Sequence, residues 1–125
     1  MKRDMELCRK ILFAIEDQYV DSAIVNLNIQ GYEVPCIAYH CELLHDAGLV
    51  DSYKSQYTDN HINYYSVGKL TWEGHNYIDN IREETVWNKT KKTIKEKALP
   101  MTIEVIKDVS SAIVSAMVKN AMAGY

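Results

Sequence analysis

Residues 49–57, LVDSYKSQY, and residues 62–70, INYYSVGKL, are two β-prone runs joined by the polar stretch Thr58-Asp59-Asn60-His61. A connection of this length and chemistry closes a hairpin, so residues 49–70 are expected to form a two-stranded wing. The rest of the chain repeats its apolar residues at helical spacing. The fold class that follows is α+β, one antiparallel ribbon set among helices.

Before the hairpin, Met5, Cys8, Ile11, Leu12 and Ile15 recur at three and four residues, which keeps them on one stripe of a helix over about 4–18. Residues 22–32, SAIVNLNIQGY, suit a brief strand closed by Gly31. Pro35 fits the first turn of a second helix, which runs to Ala47 and stops at Gly48. Ile37, Cys41 and Leu44 point one way on it, with His40 and Ala47 beside them; Tyr39, Glu42 and Asp46 point the other.

After the hairpin, Thr71 can cap a helix over about 72–84, in which Gly74 permits a close backbone approach. Leu70, Tyr77, Ile78 and Ile81 share its apolar face, which should pack back on the first helix. A lysine-rich stretch, 85–98, leads to Pro100 and a last helix over 101–123. Val105, Ile106, Val109, Ile113, Ala116 and Met117 form its apolar face, opposite Glu104, Asp108, Ser111, Ser115 and Lys119. Its uncharged run, Val109 to Val118, is half of the roughly 20 residues a membrane span needs.

The order helix, short strand, helix, hairpin, helix outlines a winged-helix-like domain over residues 1–84, with a basic segment and C-terminal amphipathic helix over 85–125. Three stretches sharpen that outline: MKRDMELCRKIL at the start, AYHCELLHDAGLV (38–50) and LTWEGHNYIDNIREETVWNK (70–89). Over residues 1–98 the chain resembles a family of small, functionally uncharacterised winged-helix-like proteins of bacteria and their phages and prophages. The resemblance implies that fold and origin, and transfers no activity. In one respect the chain departs from a winged-helix reader: residues 21–34 leave little room for a separate helix before the second one, so the helix-turn-helix is expected to be truncated or absent.

A net charge of −3 and a pI near 5.8 argue against a broadly basic, nucleic-acid-coating surface. Charge is polarised by segment, with three Lys/Arg against nine acids in residues 33–84, and Lys89, Lys91, Lys92, Lys95 and Lys97 against Glu96 in 85–98. No export signal follows the basic opening, and Cys8, Cys36 and Cys41 read as buried thiols of a reducing compartment, so the expected location is the cytoplasm.

Between Val34 and Ala47 there is no arginine, lysine, asparagine or glutamine, the commonest base readers, while Glu42 and Asp46 would repel phosphates. Tyr39, Glu42 and Asp46 are therefore assigned to protein contact. If DNA is bound, the contacts expected are Lys54, Tyr57 and Lys69 of the wing and Lys89, Lys91, Lys92 and Lys95 beyond it. The tyrosines Tyr53, Tyr57, Tyr64 and Tyr65 are first of all strand residues, and packing is the favoured reading for them.

Cys36/His40 and Cys41/His45 are each one turn apart but point about 140° from one another, so one helix cannot aim all four at an ion. No metal, cofactor or catalytic residue is expected, and Cys41 projects into the core, where a thiol is a poor nucleophile. The last helix carries Val109, Ala112, Ile113, Ala116 and Met117, a small and apolar stripe expected to pair with a second copy. Two functions stand: a regulator binding double-stranded DNA through the wing and lysines, and a module that engages or modulates a host protein through the acidic face of the second helix and the tyrosine hairpin.

Overall fold

The computed structural model describes residues 1–124 and is α+β, with the elements α1 (Met5–Gln18), β1 (Ile24–Val25), α2 (Val34–Asp46), β2 (Tyr53–Thr58), β3 (His61–Val67), α3 (Trp72–Asn80), α4 (Glu84–Glu96) and α5 (Ile103–Ala123). The expected C-terminal segment, 85–125, thus ends one residue outside the described residues. The chain divides into two compact units, one of Met1–Asn76 and the other beginning at Tyr77.

In the first unit, Asp4 starts α1 by accepting hydrogen bonds from the backbone N–H groups of Glu6 and Leu7 at 3.0 and 3.1 Å. The expected stripe of α1 is buried, together with Leu7, and packs on α2. His40, also fully buried, ties the two helices: its Nδ1 bonds the Cys36 carbonyl at 2.8 Å and its Nε2 accepts from the Asp4 N–H at 2.8 Å. Those two partners require the neutral ring with its proton on Nδ1.

No helix lies between Gln18 and Val34 among the described residues. Asn26, at φ 50°, turns the chain after β1, and Leu27 and Ile29 enter the core. The antiparallel sheet has the order β1-β3-β2, with Ile24 opposite Val67 and Tyr53 opposite Val67 on its other side. The hairpin turn is two residues, Asp59 and Asn60, both at positive φ (51° and 67°) as a type I′ turn demands. Its register slips by one between Gln56/Tyr64 and Tyr57/Ile62, so Asn63 is the extra residue of a bulge. Tyr65 is fully buried and donates its hydroxyl proton to the Leu27 carbonyl.

α2 ends where expected, with Gly48 at φ 79°. Thr71 caps α3 by accepting from the Gly74 N–H at 3.0 Å, while its own hydroxyl donates to the Gly48 carbonyl at 2.6 Å. A Cβ on Gly74 would sit 2.2 Å from the Leu49 carbonyl oxygen, so only glycine lets these backbones meet. At the far end of α1, Glu16 lies 3.9 Å from His75 Nδ1.

The expected helix over 72–84 is shorter, and a separate helix begins at its end. α3 stops at Asn80, and Glu83 takes an extended conformation to begin α4. No glycine or proline marks the break; Ile81 and Val86 are both buried, and Arg82 bonds Asp79 at 2.9 Å across it. In the second unit α4 packs on α5, burying Trp87, Thr90 and Ile94 of one and Ile106 and Ser110 of the other.

α5 requires a correction. The buried residues are Ile106, which belongs to the expected stripe, and Ser110, which does not; Val105, Val109 and Ile113 of that stripe are only half-buried. Ser111, expected to face water, is half-buried and accepts from the Asn80 side chain at 3.1 Å. From Ser115 to Gly124 every residue is exposed, Met117 by 52%. The 21-residue α5 outruns the 13-residue α4 by about 12 Å, which leaves its last turns without a neighbour within this unit.

Candidate functional site

α2 packs its apolar side on β2 and β3, and its N-terminal half therefore stands beside the hairpin tip. A cleft of about 150 Å³ opens between them. α2 supplies Pro35, Tyr39 and Glu42; the strands supply Tyr53, Tyr57 and Ile62; Asn60 and His61 edge it at the turn. Glu42 and Tyr57 are exposed, Tyr39, Tyr53 and Ile62 half-buried. No lysine or arginine lines the cleft, and Glu42 is its one carboxylate among the described residues.

Burial raises the Tyr53 phenol above its ordinary pKa; a hydrogen bond with Ser55 works the other way, and the neighbouring Tyr57, Glu42 and Cys41 add to the rise. Tyr53 is thus a neutral hydroxyl at physiological pH, close enough to Glu42 to feel its charge. Asp46, one helical turn beyond Glu42, is exposed on the same side of α2.

These positions regroup the sequence-predicted sites. Tyr57, expected to serve with the lysines if DNA is bound, shares a cleft with Tyr39 and Glu42. Lys54 borders a separate hollow with Ser55, Gln56, Asn63 and Tyr64, and Lys69 is exposed beyond β3. Both belong to the first unit, whereas Lys89, Lys91, Lys92 and Lys95 belong to the second. Within α4, Lys89, Lys92 and Lys95 are exposed, and Lys92 lies 4.0 Å from Glu96. Lys91 is half-buried, its Nζ 5.3 Å from the centre of the Trp87 ring, so its charge is partly committed to that contact. Sequence reasoning set the hairpin tyrosines beside the α2 face for protein contact but missed Pro35 and Ile62, and did not single out Tyr53 and Tyr57 from Tyr64 and Tyr65.

The second unit has a groove of its own, between α4 and α5, lined by Lys89 and Thr93 on one side and by Asp108, Val109, Ala112, Ile113 and Ala116 on the other.

Cys8 and Cys41 are buried, which pushes each thiol up to about 12. Such thiols stay protonated and inert at neutral pH. Because the unfolded chain loses these protons first, from 9.0 upward, their contribution to stability is whole below that pH and is lost as pH rises toward 12. Cys36, expected to be buried with them, is half-buried at the N-terminal turn of α2. His45 is exposed while His40 has both ring nitrogens bonded within the fold. Among the described residues no three histidine, cysteine or acidic side chains are grouped to hold a metal ion, and no helix is long and apolar enough to cross a membrane.

No solved structure matches the chain. A protein of Haemophilus influenzae (strain ATCC 51907 / DSM 11121 / KW20 / Rd), described as an uncharacterized protein, is 35% identical over 125 residues, spanning 94% of this chain and 98% of the relative. The model of the family described as Hypothetical protein (DUF2513) matches residues 2–100, which takes in everything from α1 through α4 and stops before α5. The chain belongs to the DUF2513 family.

Proposed function

We propose that this chain is a non-enzymatic, winged-helix-type interaction module of phage or prophage origin that engages a host protein in the cytoplasm through the outer face of α2 and the neighbouring hairpin. The observation that carries this reading is the cleft itself, where the Glu42 carboxylate and three tyrosines meet without a lysine or arginine. Partly exposed tyrosines give large contact area at small entropic cost, which suits protein recognition. A phosphate backbone would instead meet Glu42 and Asp46.

The test places a photo-crosslinking residue at position 46, with position 97 of the other unit as control. A discrete crosslinked protein at 46, absent at 97 and lost with Glu42→Lys, is the expected result. A second reading, duplex DNA held by the exposed Lys89, Lys92 and Lys95, keeps one favourable observation, their clustering on α4. It replaces the first if DNA binding falls steeply with salt and disappears on charge reversal of Lys89, Lys92 and Lys95, with no crosslink at 46.

The proposal also assigns Val109, Ala112, Ile113, Ala116 and Met117 to contact with a second copy. Lys89 and Asp108 line the same groove, so a two-fold pair could match each lysine to the other copy's carboxylate. Ala112→Glu with Ala116→Glu should reduce the mass in solution to that of the single chain; an unchanged mass removes the assignment.

A further inference from the structure

We infer that the cleft between α2 and the β2–β3 hairpin receives one guanidinium group, an arginine side chain of the partner polypeptide. The inference rests on the protein-contact reading and adds the chemistry of what enters.

Size comes first. A volume of about 150 Å³ corresponds to roughly five waters and falls below the roughly 300 Å³ at which ligand pockets begin. A cofactor or nucleotide does not fit. One side-chain head does, with the rest of the residue leaving by the open mouth.

Charge decides the class. Glu42 is the one carboxylate on the wall and no lysine or arginine stands with it among the described residues, so an anion is repelled and an apolar head would strip water from the carboxylate without replacing it. A cation meets both the carboxylate and the rings of Tyr39, Tyr53 and Tyr57, whose π systems attract positive charge. Between the two biological cations, guanidinium is favoured. It is planar, stacks on aromatic rings, pairs bidentately with a carboxylate and gives up its water more readily than ammonium. Asp46, one turn from Glu42, then stands where a basic residue flanking that arginine would lie.

The experiment is an amide NMR titration of the whole chain with methylguanidinium, methylammonium, tetramethylammonium and acetamide. Methylguanidinium should give saturable shifts confined to residues around Tyr39, Glu42, Tyr53 and Tyr57, with a Kd in the millimolar range expected for one small group. Glu42→Gln should weaken this by about tenfold or more, the loss of a charge-assisted pair. Tyr57→Ala should weaken it several-fold and Tyr57→Phe should restore it; Tyr57 is 64% exposed, so neither change threatens the fold. Absence of saturable shifts at the cleft, an equal response to acetamide, tighter binding of methylammonium or tetramethylammonium, or indifference to Glu42→Gln would each overturn the assignment.

The two readings fail separately. A crosslinked partner at position 46 with no methylguanidinium response removes the arginine pocket and leaves protein contact standing. A cleft that binds methylguanidinium while position 46 captures nothing removes the host-protein contact and leaves the pocket.

Discussion

Replacing Trp87 by alanine should destabilise the protein by about 3–5 kcal/mol, the cost of emptying a tryptophan-sized site that cannot fully collapse. Trp87 is 1% exposed and heads the fully buried side chains of the molecule. It sits on α4 with Val86, Thr90 and Ile94, a thin apolar line for a unit that begins only at Tyr77. No other buried tryptophan or tyrosine on α4 can take up the space. The same change also releases Lys91 from the ring it lies over. In a chain of this size the loss corresponds to a fall in Tm of roughly 10–20 °C. Trp87→Phe keeps a ring in the site and should recover more than half of it.

Urea or thermal unfolding followed by circular dichroism measures the effect. Trp72, 78% exposed, supplies an independent fluorescence signal from the first unit. A loss below about 1 kcal/mol would mean that Trp87 packs far less tightly than its burial indicates.

Local chemistry made much of the first unit legible in advance. Thr58-Asp59-Asn60-His61 located the hairpin because asparagine and aspartate tolerate the left-handed backbone that a two-residue turn needs. Gly48 and Thr71 marked helix ends through the conformation and the hydroxyl they contribute, and Gly74 marked a close approach that its missing Cβ allows. The break between α3 and α4 carried no such mark. Asn80-Ile81-Arg82-Glu83 has helical residues in a helical pattern, and the chain turns there with Ile81 and Val86 both buried, a tertiary demand that periodicity alone does not express. Ser110 was likewise invisible, because a small polar residue on a buried helix line looks the same in sequence as one facing water.

The cleft was half legible. Helical spacing put Tyr39, Glu42 and Asp46 on one face, and the tyrosines of the hairpin were plain to see. Which tyrosines would join that face depends on strand register. The bulge at Asn63 shifts β3 by one residue relative to β2, so alternation counted from Val67 does not carry through to Ile62 opposite Tyr57. Sequence grouped Tyr57 with lysines for DNA contact and the hairpin tyrosines with the acidic helix face for protein contact; the register decides which tyrosines stand beside Glu42. That arrangement gives the outer face of α2 an aromatic wall beside Glu42.

His40→Ala should cost about 2–4 kcal/mol, combining the lost imidazole volume with loss of its bond to the Asp4 N–H. The residue is fully buried and both ring nitrogens are bonded within the fold, one to the Cys36 carbonyl and the other to the Asp4 amide, 36 residues away in the chain. Asp4 in turn caps α1, so one neutral ring fixes both the end of α1 and its attachment to α2. His40→Leu separates the two contributions, since leucine fills most of the space but accepts nothing. It should still lose about 1–3 kcal/mol, and hydrogen exchange at the Asp4 amide should accelerate well beyond that of Leu7. His40→Gln, whose carbonyl oxygen can accept from Asp4, should fall between leucine and the native residue in protection at that amide. If leucine matches the native protein in both stability and exchange, the histidine is held by packing alone and the Asp4 bond contributes nothing.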